Sequence, residues 1–514
     1  MVSVVALVAM LVLMDTAAAT RAATKATPKS TLTIGIPGAG ATFDPMNGTS
    51  QTAEILAFTS TQLIHQEPSG AFTAGLATSW RYIKDPAGPN MAFELTLRRG
   101  ARFSDGSPVT AQAVKQWLSY AASTAGSYAS LLGPKPRFNT VGRWTLKIHM
   151  SISQPILPVV LSRPQYGWGL VSAPKAVAKP ADLGTATFGA GPYTLLPSQT
   201  VSGDHYTLVP NKFYWDKAKI KFSRIIIKVI PNPAAMLQAL ETHQIDIASG
   251  DTTTAGAAAS AGLRVISTQG AALGVLFPDR GGTIVKALAD PRVRQAFNYA
   301  IDRKTITRAL VGKYGLPSSE PYIPGAWVSK YQNYYPYNPG KAKTLLDAAG
   351  YGSGLTVDAL GLPSAVIPNG PALTQAIAKY LGAVGITLNL TEPTSVGDFV
   401  SQAFSGKFPV MIWPGIYETS GWSFYSVFSK PGGIVNQHGW SDPTMAQVWS
   451  AGQRSTNPTR YWLKLTRRFV EQADSAPVFI SKVIWYVGKR VGGAIIDGTN
   501  NPIPDVLALY PKRG

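Results

Sequence analysis

Ser172-Ala-Pro-Lys175 satisfies the S-x-x-K pattern, in which a lysine amine activates a serine hydroxyl for acyl transfer. The pair works from one helical turn, and Pro174 between its members argues against that geometry. No G-x-S-x-G or H-E-x-x-H accompanies it, so an exported serine hydrolase is the remote alternative. Metal chemistry fares no better. His65, His149, His205, His243 and His438 are scattered without an i, i+4 pair and read as surface or capping residues. The chain has no cysteine, which excludes disulfides, thiolate ligands, a thiol nucleophile and a lipid-modified cysteine anchor. GAGATF, Gly38 to Phe43, follows a strand like the opening of a dinucleotide loop, but Phe43 replaces the third glycine. Gly189-Ala190-Gly191 runs into Pro192, which has no amide to offer a phosphate. These residues predict no catalytic group, no cofactor and no metal.

What the chain supplies instead are devices that position elements. In RFSDGSPVTAQAVKQ, Arg102 to Gln116, Asp105-Gly106 makes a turn and Pro108 disfavours helix for Ser107. Thr110 then caps a helix whose apolar face is Val114, Trp117, Leu118 and Ala121, at offsets 0, 3, 4 and 7. Leu32 to Ile36 reads as a strand, and AFELTL, Ala92 to Leu97, alternates as a half-buried strand does. Phe188 to Ile230 holds three strands, followed by a helix around Ala234 to Leu240 and a short strand, Ile245 to Ala248. That is the strand-helix-strand unit of a wound α/β domain. Asp290-Pro291 and Asn338-Pro339 each start a helix with a cap and a proline at the first position. Their apolar faces are Val293, Ala296, Phe297, Ala300 and Ile301, then Ala342, Leu345, Leu346 and Ala349. A further helix carries Leu373, Ile377, Tyr380, Leu381 and Val384, with the strand ITLNL beyond Gly385.

At 514 residues and 45% hydrophobic content, the chain can fill two to four compact cores. Val2 to Met14 is an apolar run of about 13 residues, short for a bilayer of roughly 30 Å, and Ala17-Ala18-Ala19 follows it. This is read as an export signal over residues 1–23, which places the protein outside the cytoplasmic membrane, periplasmic or extracellular. A formal charge of +20, from 47 basic against 27 acidic residues, raises nucleic acid as a partner. The basic residues are dispersed pairs such as Arg98-Arg99, Arg467-Arg468 and Lys489-Arg490, without a basic stripe, so no nucleic acid is expected. Diffuse charge of this kind suits electrostatic association with an anionic envelope.

Three passages together resemble the extracytoplasmic solute-binding proteins of peptide-type ABC importers, the family of dipeptide-, oligopeptide- and nickel-binding proteins. They are GLATSWRYIKD with FELTLRRGARFSDGSPVTAQAV; GAGPYTLLP, NKFYW and ALETHQIDIA; and DPRVRQAFNYAIDRKTI with NPGKAKTLLDAAGY. They occur in the family's order from about Thr31 to the C-terminus. One departure is Ala113, where the family has the acidic partner of a capping box, so Thr110 caps alone.

The resemblance implies an α/β, two-lobed, periplasmic-binding-protein-like fold of type II, with three domains and an interlobe ligand cleft. Domain I is discontinuous, at residues 31–75, 181–290 and 483–514, with domain II at 76–180 and domain III at 291–482. It implies a non-enzymatic receptor, a monomer, that captures an oligopeptide or similar-sized organic solute for an ABC permease with ATPase subunits. An oligosaccharide is the alternative ligand. Relatives hold a peptide amino group with an acid in the loop that reads here PVMIWPGIYETSGWSFY, Pro409 to Tyr425, where Glu418 is the one acid. The loop in which relatives carry a carboxylate-binding arginine, GLPSAVIPNGP, Gly361 to Pro371, has no basic residue. An unpaired buried ammonium or carboxylate costs several kcal/mol, which disfavours a short zwitterionic peptide held by both charges. The aromatic residues Trp413, Tyr417, Trp422, Phe424 and Tyr425 remain, suited to flanking an extended backbone or stacking on a sugar, with about half filling core. Phe43 and Asp44, in the loop after the first strand, complete the expected contacts.

Overall fold

The computed structural model describes residues 30–48, 50–67, 70–124, 129–321, 331–416, 421–431, 433, 436–493, 496–497 and 503–512. The expected export signal, Tyr417 and Glu418 lie outside these residues. The chain opens with β1 (Thr31–Ile36) and a hairpin of β2 (Ile64–Gln66) and β3 (Phe72–Ala74). Four strands then form a separate antiparallel sheet: β4 (Ala77–Ile83), β5 (Ala92–Leu97), β6 (Arg137–Val141) and β7 (Thr145–His149), in the order β4-β5-β7-β6. Next come β8 (Tyr193–Leu195), β9 (His205–Pro210), β10 (Arg224–Val229), β11 (Ile247–Gly250) and β12 (Arg264–Leu276). The remaining long elements are β13 (Gly315–Pro317), β14 (Leu355–Leu360), β15 (Ile386–Thr391), β16 (Val410–Ile416) and β17 (Ser475–Val487).

Eleven strands make one mixed sheet in the order β15-β14-β16-β12-β17-β11-β1-β10-β9-β8, with β13 added on β17. Its organisation follows from β12 and β17, which are 13 residues each and antiparallel to one another. The Val487–Ile484 end of β17 pairs with β11, whereas the Ala272–Leu276 end of β12 pairs with β16. The two strands therefore cross from one half of the sheet to the other. Their register shifts between Gln269 and Ala272 and again between Leu273 and Gly274, the irregularity that bends a ladder. One lobe carries β1 and β8–β11 with the four-stranded sheet, and the other carries β14–β16 with their helices.

Local devices read from the sequence are in place. The Asp105 carboxylate accepts from the Ser107 amide at 2.9 Å, Gly106 has φ +89°, and the Thr110 hydroxyl accepts from the Ala113 amide at 3.2 Å. The helix Ala111–Ser123 buries Val114, Trp117, Leu118 and Ala121, and Trp117 Nε1 donates to the Trp168 carbonyl at 3.0 Å. Asp290 and Asn338 cap the helices Pro291–Ala300 and Pro339–Ala348. The strand expected over Ile245–Ala248 begins two residues later, although Asp246 already bonds to β1, its amide donating to the Thr33 carbonyl (2.7 Å) and its carboxylate accepting from the Thr33 amide (2.9 Å). One continuous apolar cluster runs from Phe93 and Trp117 beneath the four-stranded sheet to Phe277, Phe297 and Ile377 in the other lobe. Among the described residues no helix is long and apolar enough to cross a membrane.

Candidate functional site

The residues expected at the site come from both lobes, and most of them are buried. From the first lobe comes the loop after β1. Gly40 lies so close to Thr52 that a Cβ there would stand 1.8 Å from its Oγ1, while that hydroxyl donates to the Thr42 carbonyl at 2.8 Å. The glycine of the supposed dinucleotide loop thus serves close packing on the helix Ser50–Thr59. Asp44 is 5% exposed and accepts from the Met46 amide at 2.9 Å, from Asn47 Nδ2 at 2.7 Å and from the Tyr120 hydroxyl. Phe43, 8% exposed, meets Tyr206 edge-on at 5.6 Å.

From the second lobe comes the wall that begins at β16. Trp413 is partly buried, donates Nε1 to the Gly415 carbonyl at 3.0 Å, and is flanked by Phe399 and Phe404 with ring centroids at 6.0 and 6.4 Å. Trp422, Phe424 and Tyr425 are 1%, 0% and 4% exposed. Trp422 sits edge-on to Trp462, Phe424 to Phe469, and Tyr425 lies beside Trp449 and Phe469. Burial, then the nearby Asp442 and Asp474, pushes the Tyr425 phenol above its usual range. These three rings pack on the helices Pro443–Gln453 and Thr459–Glu471 and hold the wall from behind. The loop Gly361–Pro371 is fixed by the Gly361 amide on the Thr391 carbonyl (2.8 Å) and the Leu362 amide on Thr374 Oγ1 (3.0 Å).

Some buried polar groups escaped the sequence reading. Glu320, just beyond β13, is fully buried; its Oε1 accepts from the Tyr331 amide at 3.2 Å and its Oε2 has no partner among the described residues. Desolvation pushes its carboxyl up to about 8. Gln453 receives the Trp422 indole on Oε1 at 2.9 Å, while its main-chain carbonyl receives Asn90 Nδ2 at 3.1 Å from the other lobe. A cavity of about 340 Å³ lies on this seam, lined on one side by Pro89, Met91 and Ser153 and on the other by Trp449 and Arg454. No sequence period marks such residues, since each acts alone at the end of an element. Ser172 is buried ahead of the short helix Pro174–Val177 and makes no hydrogen bond to Lys175. Among the described residues no group of three or more metal-ligating side chains occurs.

Residues 71–434 match the bacterial extracellular solute-binding proteins, family 5, middle region. The chain belongs to this family. A putative ABC transporter peptide-binding protein of Brucella ovis is 24% identical over 372 residues, which cover 70% of this chain and 68% of that one. The heme-binding protein A of Haemophilus influenzae is 27% identical over 214 residues, 41% of this chain and 38% of that one. The match thus spans well under half of the heme-binding relative and about two thirds of the peptide-binding one. Among solved structures, the binding protein AgaA of A. tumefacien R10 in complex with agropinic acid superposes with a TM-score of 0.77 at 21% identity, covering 94% of this chain and 99% of that one. Solute-binding proteins of family 5 are extracytoplasmic, and the α/β two-lobed fold is the one this resemblance implied.

Proposed function

We propose that this family 5 protein is the exported receptor of an ABC importer, closing two lobes over an oligopeptide or similar-sized organic solute and presenting it to a permease with ATPase subunits. The observation that carries the reading is the strand crossing. Among the described residues β12 and β17 alone continue from one half-sheet into the other, each with irregular register at the transition, so they form a hinge about which two rigid bodies swing. On this reading the lobe boundary falls at Gln269–Ala272 and Ile480–Lys482 rather than at residue 290. Domain II keeps residues 76–180 as its span.

The ligand lies along the wall from Pro409 to Tyr425, where Trp413 offers a partly uncovered ring and Tyr417 and Glu418 stand next along the chain. Trp422, Phe424 and Tyr425 stiffen that wall, and the loop bearing Phe43 and Asp44 closes the opposite side. Glu418 and the buried Glu320 are the acids available to an ammonium group. An oligopeptide stands ahead of an oligosaccharide because main-chain amides need no terminal charge and the Brucella ovis relative is described as peptide-binding. The receptor acts as a monomer and lingers at an anionic envelope through its charge of +20.

The test is native mass spectrometry of the protein purified from its host, followed by small-angle scattering on addition of mixed tri- to pentapeptides and of neutral oligosaccharides. A co-purifying peptide and a smaller radius of gyration with peptides support the reading. A sugar adduct moves the ligand to the alternative, and scattering that never changes overturns the receptor itself.

A further inference from the structure

The helix Pro443–Gln453 ends with main-chain carbonyls that have no partner within the helix. In most helices water or a following glycine turn satisfies them. Here a side chain from the other lobe does so. Asn90 Nδ2 donates to the Gln453 carbonyl at 3.1 Å and to the Ser455 carbonyl at 2.9 Å, across 363 and 365 residues of sequence. Both amide protons of Asn90 are thereby used. The Ser153 hydroxyl sits between the Pro89 carbonyl, at 2.7 Å, and the same Gln453 carbonyl, and gives its one proton to either.

Asn90 is built to hold that posture. It takes φ +57°, a left-handed conformation that asparagine tolerates better than most residues. Its own carbonyl accepts from the Gln154 amide at 2.9 Å, and Gln154 in turn gives its carbonyl to the Tyr82 hydroxyl at 2.6 Å. The donor is thus fixed to the four-stranded sheet before the other lobe arrives. It is 7% exposed and Gln453 is 4% exposed, so water competes poorly for these bonds while the lobes are shut.

We propose that Asn90, assisted by Ser153, is a closure latch: a cap supplied in trans to the C-terminal end of the helix Pro443–Gln453, made only when the two lobes meet. This rests on the hinged-receptor reading and adds to it a reason for the closed state to be populated without ligand. Gln453 couples the latch to the ligand wall. Its main-chain carbonyl takes the latch, and its side-chain Oε1 takes the Trp422 indole at 2.9 Å. A ligand that presses the wall into place also seats the acceptor, so binding and latching favour the same state. The latch is worth about tenfold in the closed-to-open ratio, the effect of one or two net hydrogen bonds.

The absence of cysteine makes the experiment direct, since two introduced thiols are the only labelling sites. Val141 and Val396, 50% and 51% exposed on opposite lobes, are replaced by Cys and spin-labelled, and interlobe distances are measured without ligand and with mixed tri- to pentapeptides. In the Asn90→Gly variant, which keeps the backbone freedom and loses the amide, the closed-to-open ratio without ligand falls about tenfold, and Ser153→Ala lowers it less. The thermal midpoint of each variant controls for folding. Distances that respond to peptides yet are identical in the parent, Asn90→Gly and Ser153→Ala overturn the latch and leave the receptor standing. One separation that neither peptide nor variant alters overturns both.

Discussion

The Tyr120 hydroxyl, on the first capped helix of the four-stranded sheet, donates to the Asp44 carboxylate in the loop after β1, 76 residues away. The bond ties the helix Ala111–Ser123 to the loop after β1. Burial, followed by the Asp44 bond itself, pushes the Tyr120 phenol up, so it remains a donor across the physiological range. Asp44 spends its other acceptor capacity on Met46 and Asn47, which fixes the loop's shape. Replacing Tyr120 by Phe removes the donor alone. The expected cost is about 1.5–3 kcal/mol, the range for a hydrogen bond to a charged group, read as a lower urea midpoint at unchanged slope.

Arg303 supports the second lobe in a way that its charge does not suggest. Its guanidinium is buried and gives hydrogen bonds to the carbonyls of Ser318, Pro477, Asn298 and Tyr335 and to Asn298 Oδ1, all between 2.7 and 3.2 Å. One side chain thereby joins a helix start, the end of β13, the N-terminal end of β17 and the turn at Tyr335. No carboxylate pairs with it in this set, and burial lowers its pKa to about 10. Arg303→Lys keeps a charge but offers three donors in another geometry. It should cost about 3–5 kcal/mol, as breaking a buried charge network does. Calorimetry of the second lobe's transition checks the figure.

Two buried carboxyls set a pH dependence. Desolvation raises Glu320 to about 8 and Glu54 to about 7, and each has one carboxyl oxygen without a partner among the described residues. A raised folded-state pKa means that the folded protein binds more protons than the unfolded chain between about 4.5 and the folded value. Their contribution is fully present below about pH 4.5 and is lost as pH rises through 7 and 8. Each group gives a slope of up to about 1.4 kcal/mol per pH unit in its window. Glu320→Gln should flatten the fall in melting temperature between pH 5 and 8, and Glu54→Gln should flatten it between pH 5 and 7. Melting curves that stay parallel to the parent's would contradict the assignment.

The capped helices were the most legible part of this chain, because Thr110, Asp290 and Asn338 state their starts locally and the apolar offsets state their faces. The site was less legible, for a physical reason visible in the aromatic loop. Trp422, Phe424 and Tyr425 have the composition of a stacking platform, but what decides between platform and core is which helix they meet, and Trp462 and Phe469 lie some 40 residues further on. The strand crossing was illegible. Arg264–Leu276 contains Gly270 and Gly274, which weaken a strand by propensity, and Ser475–Val487 has Pro477 inside it. Long-range pairing between the two overrides both signals.

Those same glycines make the last prediction. A Cβ on Gly274 would stand 2.6 Å from the Ala476 carbonyl oxygen and the Pro477 Cα, and one on Gly270 would stand 2.7 Å from the Ser481 carbonyl oxygen. The obstacles are main-chain atoms of β17, so no side chain can rotate away to make room. Gly274 also has φ +155°, which adds backbone strain to the collision. Gly274→Ala must therefore push β12 and β17 apart where they pass between lobes, at an expected cost of about 1–3 kcal/mol. Gly256, in the helix Ala255–Ser260, has nothing within 4 Å of its would-be Cβ. Gly256→Ala should raise stability by about 0.5–1 kcal/mol through the unfolded chain's lost freedom. Urea titrations of the two variants should move in opposite directions, and a Gly274→Ala midpoint equal to the parent's would show that the crossing is not tightly packed.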